Sequence, residues 1–154
     1  GAGLGLPGEF PLAPPEHAEH AAALARAAAL AEAPPPLNTT IGIVATDAVL
    51  TRAQAHKVAG VAHDGLARAI RPVHTLYDGD AIFAISTERL PLPATDPTTP
   101  YGMHAEAAAL TAIHAAAADV FARAVVHGVL AARRGGNVPA YRDLYPTASS
   151  RYPG

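Results

Sequence analysis

Pro34-Pro35-Pro36 divides this chain more firmly than any other run in it. Proline cannot continue a helix, and it biases the residue before it toward extended backbone. Everything upstream must therefore finish its helical structure by Ala33, and whatever follows starts afresh. Upstream, Gly1 to Pro15 is loop-like. Glu16 to Ala33 reads as a helix, with acidic residues in its first turn and an alanine/leucine body. Downstream, Thr40 to Thr46 reads as a β-rich, largely buried strand, and Thr51 to Ile70 as a helix with Thr51 as N-cap, closed by Pro72. Ala81 to Thr87 is a second apolar strand after the turn Tyr77-Asp78-Gly79-Asp80, in which Gly79 can take backbone angles that other residues avoid. A Pro/Thr-rich loop covers Pro91 to Pro100. Met103 to Ala132 is a long, nearly all-apolar helix that has to be packed on more than one side, by core or by a subunit interface, through Leu110, Ile113, Val120, Phe121, Val125 and Val129. A Gly/Pro/Tyr-containing tail follows from Arg133. Strand, helix, strand, helix in this order indicates an α/β or α+β layered domain.

Composition narrows the function classes. With 154 residues the chain can bury one core, and it begins without an initiator Met, as the middle of a longer protein would. A formal charge of −2 and a single lysine, Lys57, argue against nucleic acid and against an anionic membrane surface, both of which favour clustered Lys/Arg. No cysteine is present, hence no disulfide framework, thiolate metal site or cysteine nucleophile, which fits a reducing, cytoplasmic setting. No uninterrupted apolar run reaches the roughly 18 residues of a membrane span, and the start lacks the basic-then-apolar order of a signal peptide.

The chemistry concentrates where the linker meets the first strand, at Asn38-Thr39-Thr40. A threonine hydroxyl is a weak nucleophile until a base takes its proton. Cleavage of the Asn38-Thr39 bond would supply one, because the freed α-amine of Thr39 has an expected pKa of roughly 7.7–8.0 and is partly neutral near pH 7. One residue would then be nucleophile and base together. Asp78 and Asp80 stand two apart just before a strand, so in extended backbone their side chains point to the same side, where one can hold the Thr39 ammonium and the other orient the hydroxyl. Carboxylates this close raise one another's pKa. An ordinary Asn-Thr turn and a solvated Asp-Gly turn are the plain alternatives.

Other candidates carry less. His17 and His20 share a helical face at a spacing compatible with a metal, but no third ligand is near in sequence. His63 and Asp64 are adjacent on a helix and point apart by about 100°, so they order the helix or pack against the Asp-Gly-Asp turn. His74 lies near the site in sequence, at most in support of it. Arg68 and Arg71 suit the clamping of buried carboxylates. No cofactor and no metal is expected.

The runs Asn38 to Ala48, Ala62 to Thr75 and Asp78 to Thr87 together resemble the D-/L-aminopeptidase and β-peptidyl aminopeptidase family. They are most similar to its threonine-type branch, the 6-aminohexanoate-oligomer (nylon-oligomer) endo-hydrolases. The resemblance runs from about Gly8 to Tyr145. It implies an autoprocessing amide hydrolase cut between Asn38 and Thr39, with Thr39 as nucleophile and Asp78 and Asp80 as its carboxylates. It implies a four-layer αββα sandwich assembled from two chains of one precursor. Residues 1–38 would then be the end of the α-subunit-like region, with its helix and Pro-rich linker, and 39–154 the β-subunit-like segment. The implied partners are an upstream α-subunit segment, further copies in a homo-oligomer, and a peptide-like or ω-amino-acid oligomer substrate. A lysine and an asparagine that the family draws from upstream of the nucleophile have no counterpart here, since Lys57 and Asn137 both follow Thr39. Glu88 stands where the family usually has a glycine. An incomplete, non-catalytic chain with a structural role in assembly is the alternative reading.

Overall fold

The computed structural model describes residues 5–31, 39–94, 98 and 104–152. The Pro34–Pro36 linker, Asn38 and half of the Pro/Thr-rich loop lie outside them. The elements run α1 (His17–Ala31), β1 (Ile41–Ala48), α2 (Arg52–Ala69), β2 (Ala81–Leu90), α3 (His104–Ala131) and the short α4 (Tyr141–Leu144). This is a mixed α/β chain with a small parallel sheet. It divides into two compact units, Gly1–Leu37 with Ala124–Gly154, and Asn38–Arg123.

In the second unit β1 and β2 pair in parallel, Ile41 opposite Ala81 through Thr46 opposite Ser86. Parallel neighbours need a crossover, and α2 supplies it. Its start is fixed by a capping box: the Thr51 hydroxyl accepts from the Gln54 amide at 3.3 Å while Gln54 Oε1 accepts from the Thr51 amide at 2.8 Å. Val58, Ala62, Gly65 and Leu66 form its buried stripe, at the spacing of one helical face. Gly65 is demanded by packing. A Cβ there would stand 2.1 Å from the carbonyl oxygen of Ala118, so α2 and α3 cross backbone to backbone at this point. Phe121, on the same buried face of α3 as Ala117 and Ala118, lays its ring on Gly42 of β1.

Several expectations change. β1 is buried on one face only: Val44 and Ala48 are in the core while Ile41 and Ile43 are 72% and 61% exposed, and Phe83 and Ile85 continue that open face on β2. α3 is likewise buried along one stripe rather than all round, with Val120 and Val129 exposed. Its length and composition are those of a helix able to cross a membrane, although the sequence shows no uninterrupted apolar run of that size; alanine between the charged and histidine positions keeps its hydropathy high. Glu88 lies inside β2, which continues past the expected strand end at Thr87. It takes a left-handed φ of 55° where the β1–β2 register shifts between Thr46 and Ala48.

In the first unit α1 packs on α4 and the tail. Glu19 accepts from the Thr147 amide at 2.8 Å, and His20 Nδ1 meets the Tyr145 hydroxyl at 3.0 Å. His127 joins Glu9 and the Tyr152 hydroxyl at 2.8 and 2.6 Å. His20 is thus a helix–tail contact, and among the described residues no cluster of three His, Cys, Asp or Glu could hold a metal.

Candidate functional site

Thr39 stands exposed at the mouth of β1, two residues before the strand begins. Its hydroxyl faces Gly79. A Cβ on Gly79 would lie 3.0 Å from Thr39 Oγ1, so close approach to the threonine is what asks for glycine here; the φ of Gly79 is outside the left-handed region, contrary to the turn-based expectation.

Thr40 is tied to the second strand at both ends of its peptide unit. Its amide donates to Asp80 Oδ1 at 2.9 Å and its carbonyl accepts from the Ala81 amide at 2.9 Å. The Asp80 carboxylate thereby extends the sheet pairing by one rung, using a side chain where the ladder has not yet begun. Its other oxygen, Oδ2, meets His74 Nδ1 at 2.8 Å, and the side chain is only 5% exposed. Burial alone would raise this carboxyl's pKa, but the Thr40 amide and the neighbouring His74 outweigh it and hold the group below the usual carboxylate value. Mutual repulsion with Asp78 would have driven it the other way, so that expectation is corrected.

Asp78 serves the turn. Its Oδ2 accepts from the Thr75 amide at 2.8 Å while its own amide donates to the Thr75 carbonyl at 3.1 Å, closing Thr75–Asp78 on itself. Among the described residues neither carboxylate bonds the Thr39 hydroxyl. A cleft of about 260 Å³ opens beside them, apolar along Ile70, Pro72 and Val73 and polar along Thr40, Asp78 and Asp80.

Two histidines join this arrangement. His63, half-buried on α2, approaches His74 with Nδ1 to Nε2 at 3.2 Å and ring centroids 4.8 Å apart. The sequence pointed His63 toward the Asp-Gly-Asp turn but put His74 no closer than the margin. What it could not signal is that His74 adopts a left-handed φ of 54°, which turns its ring back onto Asp80. Arg68 corrects in the opposite sense: it pairs at 2.6 Å with Asp119, a partner 66% exposed, and clamps no buried carboxylate, while Arg71 is exposed.

An exposed threonine before the first strand thus lies against Gly79, and the buried carboxylate of Asp80 holds the amide of the residue that follows it, within a mixed α/β unit. The model for peptidase family S58 matches residues 13–138. An uncharacterized aminopeptidase of Mycobacterium tuberculosis is 48% identical over 145 residues, covering 93% of this chain and 41% of that protein. Its counterpart in Mycobacterium leprae is 44% identical over 140 residues, 91% of this chain and 37% of that protein. A 6-aminohexanoate-oligomer endohydrolase of Paenarthrobacter ureafaciens is 35% identical over 89 residues, 55% of this chain and 25% of that protein. The chain belongs to peptidase family S58, and it spans less than half the length of these relatives.

Proposed function

We propose that this chain carries the nucleophile of a self-processing amide hydrolase, with Thr39 as nucleophile and cleavage between Asn38 and Thr39 as the activating step. The placement of the exposed Thr39 hydroxyl against Gly79, with Asp80 anchoring the very next residue, is the observation that supports it most. The relatives' names, aminopeptidase and 6-aminohexanoate-oligomer endohydrolase, agree with an amide-cleaving role.

In the precursor, Thr39 Oγ attacks the Asn38 carbonyl carbon. The C–N bond to Thr39 breaks as the ester forms, and water then hydrolyses the ester to leave a carboxylate on Asn38 and a free amine on Thr39. In turnover that amine takes the hydroxyl proton as Oγ attacks the substrate amide. The leaving amine departs with the proton, and water releases the acyl group from Oγ. Asp80 holds the strand that carries the nucleophile, and Asp78 shapes the turn beneath it. The substrate class is a peptide-like or ω-amino-acid oligomer amide, its acyl part seated in the cleft along Ile70 and Val73.

The open sheet face formed by Ile41, Ile43, Phe83 and Ile85 fits the remaining layers of an αββα sandwich supplied by an upstream α-subunit segment, within a homo-oligomer. Donors for the oxyanion would come from that segment too, as a contribution of a few kcal/mol is expected of them.

Mass spectrometry of the protein expressed from its complete reading frame tests the reading. A species beginning at Thr39 is expected, absent in Thr39→Ala together with all amide hydrolysis. An intact chain without activity would instead favour a non-catalytic assembly role, and processing that persists in Thr39→Ala would rule the assignment out.

A further inference from the structure

We propose that His74, backed by His63, is a positioning residue that locks the Asp80 carboxylate and, through it, the backbone that follows Thr39. The inference rests on the Thr39 reading given above. Three features carry it. Asp80 is bonded on both oxygens, the Thr40 amide at 2.9 Å on Oδ1 and His74 Nδ1 at 2.8 Å on Oδ2, so its carboxylate cannot turn while both bonds stand. Because Oδ2 can only accept, the proton between them sits on His74 Nδ1, and this tautomer leaves Nε2 to accept from His63 Nδ1 at 3.2 Å. His74 itself sits at a φ of 54°, a conformation that L side chains avoid and that persists only where its surroundings dictate it.

The same geometry limits what His74 can do. In hydrolases that use an Asp–His pair, the far imidazole nitrogen faces the nucleophile and takes its proton. Here that nitrogen faces a second histidine on α2, so His74 orients the carboxylate and does not accept the Thr39 proton. Among the described residues the titratable groups bonded to it are His63 from α2 and Asp80 from the segment before β2. The chain of contacts therefore runs from α2 through His63, His74 and Asp80 to Thr40, and it fixes the strand entrance to the crossover helix of the same unit.

Steady-state kinetics over pH on the processed protein, with an amide-oligomer substrate, separates positioning from mere packing. His74→Ala should lower kcat roughly tenfold to a hundredfold, the scale on which loss of an orienting partner is felt, with KM little changed. The Asp80 carboxyl resonance, followed by NMR, should titrate at higher pH, because Asp80 loses one of the partners that favour its charged form. The acid limb of kcat/KM belongs to the Thr39 amine, expected at roughly 7.7–8.0, and should stay in place. His74→Asn keeps an N–H donor near the position of Nδ1 and belongs to the residue types most at ease with positive φ. It should recover most of kcat and return the Asp80 titration toward that of the wild type. Wild-type kcat in His74→Ala, or an Asp80 titration that does not move there, would overturn the proposal. So would a folded His74→Asn that is as slow as His74→Ala, because ring packing would then be what matters. Should His74→Ala fail to fold, the Asn variant decides alone. A wild-type protein that shows no species beginning at Thr39 removes the underlying reading and this inference with it, whereas a processed, active wild type beside an unaffected His74→Ala removes only the inference.

Discussion

Gly79→Ala separates stability from chemistry at this site. The added methyl would stand 3.0 Å from Thr39 Oγ1, 3.7 Å from its Cγ2 and 3.9 Å from its Cβ. Carbon and oxygen rest comfortably at about 3.3–3.6 Å, so the hydroxyl must give way by roughly 0.3–0.6 Å. Thr39 is exposed, and Gly79 does not occupy left-handed backbone. The fold should therefore tolerate the change, or gain about 0.4–1 kcal/mol as the unfolded chain loses freedom. Chemistry should suffer. A misplacement of about 1 Å can cost a hundredfold, so on a logarithmic scale half that displacement predicts a loss on the order of tenfold. The assay is a mass-spectrometric time course of the Asn38–Thr39 cut after rapid purification, followed by turnover of an amide oligomer, with thermal unfolding in parallel. Expected is a thermal midpoint equal to or above that of the wild type with both rates about tenfold lower. Wild-type rates would mean that the Thr39 hydroxyl does not work from where it lies against Gly79. A collapsed midpoint would mean that Gly79 is needed for its backbone after all.

Gly65→Ala should destabilise by about 1–3 kcal/mol despite a helix-propensity gain of about 1 kcal/mol, because the new methyl meets the Ala118 carbonyl at 2.1 Å and only backbone is there to move; an unchanged urea midpoint would show that α2 and α3 do not meet this closely. Glu88→Gly should stabilise by up to about 1 kcal/mol, as relief of a left-handed φ worth about 1–2 kcal/mol is partly offset by the roughly 0.5–1 kcal/mol entropic cost of glycine. A lower thermal midpoint for that variant would mean that the Glu88 side chain contributes more than its backbone costs.

What the sequence disclosed and what it withheld follow from the range of the interactions involved. The capping box of α2 is a contact between residues three apart, and its buried stripe is a periodicity, so both are written locally at Thr51, Gln54, Val58, Ala62 and Leu66. The strands are equally plain as apolar runs, yet their burial is not. Ile41 and Ile43 look like core because they are β-branched and apolar, and only the sheet's neighbours decide that one face is covered by α2 and α3 while the other stands open. That Thr39 and the Asp-Gly-Asp turn lie near one another follows from their both standing at strand entrances, because parallel pairing brings two entrances together.

His74 was out of reach for a specific reason. It is three residues short of the turn's first position and six short of Asp80, and in ordinary extended backbone a residue at that distance has no cause to fold back. Its contact exists because one φ is left-handed, and φ at a non-glycine residue is something the surroundings impose. A partner that holds it there is His63, eleven residues earlier on the crossover helix, whose ring lies tilted at 56° to that of His74. The local violation and the tertiary contact are then two sides of one arrangement: the backbone penalty at His74 is sustained by bonds to His63 and Asp80, and those bonds in turn deny Asp80 the freedom to rotate away from Thr40. A segment that breaks a local rule next to the proposed nucleophile is where positioning is to be sought, and in this chain the rule is broken at His74, whose ring closes on Asp80, and not at Gly79, whose backbone obeys it.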